Sequence, residues 1–220
     1  MAVMHETELK PSKLELLALW LPAQSWYRGG DEPELADVGG FRLDDPEGEV
    51  GIEFKVIIDS SGTRPTTYLV PLTYRGAPLD GAEDALVGTM EHGVLGRRWA
   101  YDGCHDPVMV GQLLALIEGR VQAQDQHVSD TPHQDVTRDY TGGPLDPEDF
   151  AGLPVDDDES TELRASQGTV LRLQRVLYTA PHDATRPPAG TTGHLTGSWR
   201  RPDGVRPRAF FAFMLASREN

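Results

Sequence analysis

One cysteine, Cys104, and one asparagine, Asn220, are all that 220 residues hold of either type. A single thiol excludes an internal disulfide framework and fits a reducing cytosol. No basic cluster stands beside it in sequence, so it reads as a structural rather than a reactive cysteine. No apolar run approaches the roughly 20 residues that a bilayer span needs. The best candidate, LELLALWL, is short, contains Glu15 and lacks a small-residue cleavage site. Neither a membrane span nor a signal peptide is expected, and the chain reads as cytoplasmic. Basic residues are also scarce: 20 Lys and Arg face 35 Asp and Glu, a net charge of −15. Nucleic acid and anionic membrane would be repelled by such a surface and are excluded as default partners.

The hydrophobic fraction of 38% suffices for a real core, in one good-sized domain or two small ones. The charge is unevenly spread. Residues 1–129 carry a balance of −11, residues 130–163 one of −10, and residues 164–220 one of +6. The expected organisation is an α+β domain over 1–125, an acidic Pro/Gly-rich linker or loop over 126–163, and an antiparallel β segment over 164–220 that completes the domain.

Ser12 followed by Glu15 is a capping-box pattern, and Leu14, Leu17 and Leu21 recur at helical spacing before Pro22, so a helix is predicted over Ser12–Leu21. Strands follow at Glu34–Leu43, Glu49–Asp59 and Thr66–Tyr74, where alternation is interrupted by the turn signals DDPEG and DSSG. Val94–Tyr101 reads as a further strand. Asp106 and Pro107 open a helix over Asp106–Glu118 with the stripe Val110, Leu113, Leu114 and Ile117. Periodicity vanishes from about Gln126 to Glu162, where Tyr140, Phe150 and Leu153 are the candidates for local anchoring. Strands return at Thr169–Tyr178, His194–Arg201 and Arg208–Ala216.

The pieces WLPAQSWY, VPLTYRGAPL, EDALVGTMEHGVLGRRWAYDG and HDPVMVGQLLALI, in that order, resemble the N-terminal cap region of the maltokinase family over roughly residues 10–120. The resemblance implies a curved antiparallel sheet with packed helices, somewhat cystatin-like, with the C-terminal hairpins adding to that sheet or forming a second small one. Enzymes of that family phosphorylate a sugar with a separate kinase body. Phosphoryl transfer needs a positioning Asp, metal-holding groups and a phosphate cradle. The nearest approach to the His-x-Asp…Asn pattern of such kinases is HQDVTRDY, with His133 and Asp135, but Tyr140 holds the Asn position. No G-x-x-x-x-G-K-[ST] loop occurs. The expectation is a stand-alone, non-catalytic cap, with no catalytic residues and no cofactor. It would act as an interaction or regulatory module near bacterial sugar or glucan metabolism, with a protein partner such as a sugar kinase or glucan enzyme.

Trp26, Tyr27 and Arg28 suit either a sugar or partner platform, or a plug in which Trp26 enters the core and Arg28 lies over a ring. The platform reading gives the alternative function, a small carbohydrate-binding protein, with Trp99 as a further contributor. Asp102, His105 and Asp106 raise a remote hydrolase reading, but G-x-S-x-G is absent, and a capped helix start explains Asp106. The 13-residue gap between His92 and His105 matches no metal-ligand spacing, so no metal is expected. The run DDDES reads as a solvated acidic stretch rather than a calcium loop. Arg200 and Arg201, with Arg206 and Arg208 near Trp199, form an anion-facing hairpin whose simplest partner is the protein's own acidic segment.

Overall fold

The computed structural model describes residues 9–126, 128, 131–178 and 186–216. The fold is α+β, with two antiparallel sheets and two helices. The first sheet holds β1 (Leu9–Lys10), β2 (Leu35–Leu43), β3 (Gly51–Asp59), β4 (Thr66–Arg75), β5 (Leu86–His92) and β6 (Gly96–Asp102), in the order β1-β5-β6-β4-β3-β2. The second holds β7 (Thr137–Tyr140), β8 (Val155–Asp156), β9 (Ser160–Arg164), β10 (Val170–Gln174), β11 (Thr191–Ser198) and β12 (Arg208–Leu215), in the order β7-β11-β12-β10-β9-β8. The C-terminal strands therefore form a second sheet and do not extend the first.

Helix α1 (Lys13–Trp20) starts at the predicted capping box: Ser12 N–H donates to Glu15 Oε2 at 2.7 Å, and Glu15 N–H to Ser12 Oγ at 3.3 Å. Pro22 does not end it abruptly, because residues Leu21–Ala23 continue as one 3-10 turn. Leu16, Leu17 and Leu21 bury against Ile57, Val70, Leu72, Val87 and Met90 on one face of the first sheet. Lys13 ties the helix start to Glu53 on β3 at 2.6 Å. Burial pushes the Glu53 carboxyl up, but Lys13 and Lys55 outweigh it and hold it below its ordinary value.

Strand β5 has no counterpart among the predicted elements. A register shift between Leu86 and Gly88 breaks its alternation. Gly88 also lies against α1, since a Cβ there would lie 2.6 Å from Leu16 Cδ2.

Helix α2 (Pro107–Glu118) covers the opposite face. Asp106 caps it by accepting Val108 N–H at 3.0 Å, and Gly119 closes it in the left-handed region at φ 80°. Its Met109, Leu113, Leu114 and Ile117 share one core with Phe41, Phe54 and Val56 of the first sheet and Leu171, Leu195, Phe211 and Met214 of the second. The sheets also join through backbone. On β4, strand β6 pairs only with Leu72–Arg75, leaving the first half of β4 an edge. Residues 175–177 fill it: Leu69 N–H donates to Arg175 O at 2.9 Å, and Leu177 N–H to Thr67 O at 2.8 Å.

The segment 126–163, expected as a linker or loop, carries β7, β8, most of β9 and a 3-10 turn at Pro147–Phe150. Of its three candidate anchors, Phe150 is in the core and Tyr140 packs partly against it, whereas Leu153 is 80% exposed. The strands escaped detection because β7 and β8 are exposed or only partly buried, and three of the four buried residues of β9, Ser160, Thr161 and Glu162, are polar and hydrogen-bonded, so no hydrophobic alternation marks them.

Candidate functional site

The loop after α1 is organised by Asp59. Its buried carboxylate accepts Glu34 N–H (3.0 Å) and Ser61 N–H (2.9 Å) on one oxygen, and the hydroxyls of Tyr27 (2.7 Å) and Ser61 (3.0 Å) on the other. Burial pushes Asp59 up, but these donors prevail and hold it below the usual carboxylate range. Tyr27 stacks on Tyr68 at 5.8 Å between centroids, and burial together with Asp59 pushes its hydroxyl up to about 12. Trp26 is wholly buried. Its ring meets Trp20 edge-on at 5.8 Å, Tyr68 at 5.7 Å, and the Arg175 guanidinium at 5.1 Å on its face. The indole is thus a core plug rather than a surface platform.

Arg28 points the other way. Its Nη2 donates to Glu159 Oε1 at 2.9 Å and to Asp158 O at 3.3 Å, and its Nη1 donates to Tyr178 Oη. Tyr178 in turn donates to Glu159 Oε1 at 2.7 Å, and the guanidinium lies 5.8 Å from the Tyr178 ring centroid. This clamp borders a polar cleft of about 480 Å³ lined by Arg28, Asp157, Asp158, Glu159, Ser160, Arg172 and Gln174. The expected solvated run DDDES supplies much of the wall. Asp157 accepts the N–H groups of Glu159 (2.8 Å) and Ser160 (2.6 Å) and the Ser160 hydroxyl (2.8 Å), which fixes the loop.

The hydrogen bonds from Tyr178 and Arg28 hold the Glu159 carboxyl below its ordinary value of 4.5. A depressed folded-state value means that the clamp stabilises the fold above that ordinary value and loses its contribution as pH falls through the lower one. Because the pair is about half exposed, Glu159→Gln is expected to cost no more than about 1 kcal/mol at neutral pH. Chemical denaturation at pH 7 and below pH ~4 checks this: the difference from wild type should shrink to nothing in acid.

Beneath the clamp, Arg175 is wholly buried. It pairs with Asp102 Oδ2 at 2.5 Å and donates from Nε to Thr161 Oγ1 at 2.6 Å. Burial opposes its charge, but Asp102 overcomes that and raises its pKa. Cys104 lies buried beside this pair, and burial pushes its thiol well up, away from the reactive thiolate.

The other sequence candidates do not converge. Trp99 packs half-buried with Tyr101, Leu79, Ala82 and Ala85, as same-face alternation implies. Asp102 faces Arg175, while Asp106 is held by Arg75 through two contacts of 2.7 Å, so the two carboxylates and the partly buried His105 form no shared acid/base group. Trp199 is buried against Phe211, 6.4 Å away, and presents no face to a ligand. Arg200 is exposed, with its backbone N–H on Val38 O at 3.1 Å, and Arg201 pairs with Asp203 at 3.3 Å across the RPDG turn. Arg206 pairs with Asp135, inside the acidic segment. Sequence reasoning missed Glu159, Arg172, Gln174, Arg175 and Tyr178. Only the charge of Arg175 inside VLRLQRVLY hinted at an internal partner.

Residues 20–106 match the family model of the maltokinase N-terminal cap domain. The match spans β2–β6 and stops at the cap residue of α2. It concerns the cap of a kinase, a non-catalytic part, and within this chain the matched region is followed by α2 and the second sheet. Trp26, Tyr27, Arg28, Trp99, Asp102 and His105 fall inside the match; Trp199, Arg200 and Arg201 fall outside. No curated protein matches the chain. None of the described helices is long and apolar enough to cross a membrane.

Proposed function

We propose that this chain is a non-catalytic interaction or regulatory module of bacterial sugar or glucan metabolism that engages a protein partner, a sugar kinase or a glucan-processing enzyme, through its cap. The reading rests on the cap match joined to one surface observation. The exposed large apolar side chains of the matched strands are Leu86, at the start of β5, and Val94 and Leu95, at 61% and 47% exposure on the tip of the β5–β6 hairpin. Leu19 of α1, just outside the match, is a further exposed aliphatic side chain at 81%. A hairpin tip gains nothing in folding from exposing two adjacent aliphatic side chains, and exposed apolar patches mark interaction sites.

The test is co-purification from the native cytosol with identification of what is retained. A sugar- or glucan-active enzyme should be recovered with the wild-type chain and lost, at least tenfold, with Val94→Asp/Leu95→Asp, whose melting temperature should stay within about 2 °C because surface changes are nearly neutral. Recovery of no such enzyme, or equal recovery by the variant, would overturn the reading.

A further inference from the structure

The β5–β6 hairpin closes on the pair of His92 with Gly96, leaving a three-residue loop at 93–95, with Gly96 in the left-handed region at φ 71°. Within that loop the N–H groups of Val94 and Leu95 find no backbone acceptor. Both donate to the imidazole Nδ1 of His92, at 3.3 and 3.1 Å, and have no other partner among the described residues. We propose that neutral His92 is the positioning residue of this tip, and that its protonation releases Val94 and Leu95, so that the apolar tip is presented to a partner only while the ring is uncharged. The consequence for binding rests on the partner reading; the release of the tip does not.

The chemistry of the acceptor fixes the sign. A ring nitrogen accepts only while it carries no proton, so the two N–H groups aimed at Nδ1 place the neutral ring's proton on Nε2. Protonation makes Nδ1 a third donor facing the other two, and two attractive contacts become repulsive. The tip is therefore held above the ordinary histidine value of about 6.5 and let go as the ring takes up its proton on acidification. Of the charged side chains in the surrounding ladder, three are cations and the one carboxylate is engaged. Glu91 is paired with Arg97 at 2.9 Å, and Lys10 of β1 lies opposite Glu91. Arg98, opposite Met90, is on the same sheet face as His92.

The same device occurs elsewhere in this chain on a carboxylate. Asp157 Oδ1 accepts the N–H groups two and three residues ahead, of Glu159 at 2.8 Å and Ser160 at 2.6 Å, as His92 does for Val94 and Leu95. At the tip the acceptor is instead imidazole, the side chain whose ordinary titration falls between about pH 5 and 8. The His92 bonds are longer and exposed, so losing them redistributes the tip and leaves the fold intact. Two adjacent aliphatic side chains bury together against a partner only when the backbone carrying them is held, so the order of the tip is a condition of docking.

NMR on the full chain, titrated from about pH 8 to about pH 5.5, tests this. The Val94 and Leu95 amide signals should shift with the His92 ring signals at one midpoint. Their hydrogen-exchange protection should fall roughly fivefold across it, the scale of one weak hydrogen bond. His92→Asn supplies a carboxamide oxygen that accepts the same N–H groups without titrating, so its amides should keep their protection throughout. His92→Ala should show low protection at both ends. Amides that ignore the His92 titration, or that titrate equally in His92→Asn, would overturn the proposal. In the co-purification, an enzyme retained at the alkaline end should be lost from wild type at the acid end and kept by His92→Asn; retention by wild type that ignores pH overturns it as well. A tip that titrates as expected while no enzyme is recovered at any pH supports the release and counts against the partner reading alone.

Discussion

Replacing Trp26 with Ala should cost about 3–5 kcal/mol, the usual loss for emptying a large buried aromatic site. The side chain has no exposed surface and is enclosed by Trp20, Tyr68 and Arg175, three groups drawn from α1, β4 and the segment after β10. None of these can collapse into the void without abandoning its other contacts, so little of the cavity will close. Arg175 would lose the ring face that carries part of its desolvation cost. Trp26→Phe should lose clearly less. The indole Nε1 has no hydrogen-bond partner among the described residues, so Phe forfeits no bond and leaves a smaller void. Equilibrium urea unfolding reads both. A loss below about 1 kcal/mol for Trp26→Ala would show that the ring is peripheral.

Arg175→Met should be similarly severe, about 3–5 kcal/mol, because it strands the Asp102 carboxylate in the interior. The pair itself is not the source of that stability. Arg175 Nη1 finds no partner among the described residues, so the desolvation of the guanidinium is incompletely repaid. Asp102→Asn keeps an acceptor for Cys104 N–H, at 3.1 Å, while removing the charge. Combined with Arg175→Met, it should recover more than half of the lost stability. A double variant as unstable as the single one would mean that Arg175 acts through packing on Trp26, and a double-mutant cycle separates the two. The pair joins β6 to the segment that follows β10.

The parts of this fold that sequence could declare were local. Ser12 with Glu15 and Asp106 with Pro107 each specify a helix start within four residues, and the structure has both. Alternation in Glu49–Asp59 and Thr66–Tyr74 reports an antiparallel sheet with one face to be covered; that both faces are buried, one under α1 and the other under α2, does not follow from it. Strand β5 was hidden by the Gly88 bulge, which shifts the apolar positions off period two. Strand β9 was hidden because Thr161 and Glu162 are buried polar residues, a pattern that reads as loop until Asp156, Arg172 and Arg175 are placed beside them.

The candidate site divides the same way. Arg28 was visible as an unusual cation beside two aromatics, and both a platform and a plug were consistent with it. Its partner Glu159 lies 131 residues away, in a run whose composition says only that it is acidic. By itself the sequence determined the helix starts, the antiparallel class and the likeness of residues 20–106 to the cap domain, because capping, period-two alternation and motif order are read within short windows. Only the tertiary structure decided that Trp26 is interior, that the acidic segment supplies strands, and that a polar cleft exists. Each of these depends on which distant charge meets which, and that pairing is set by packing rather than by neighbouring residues.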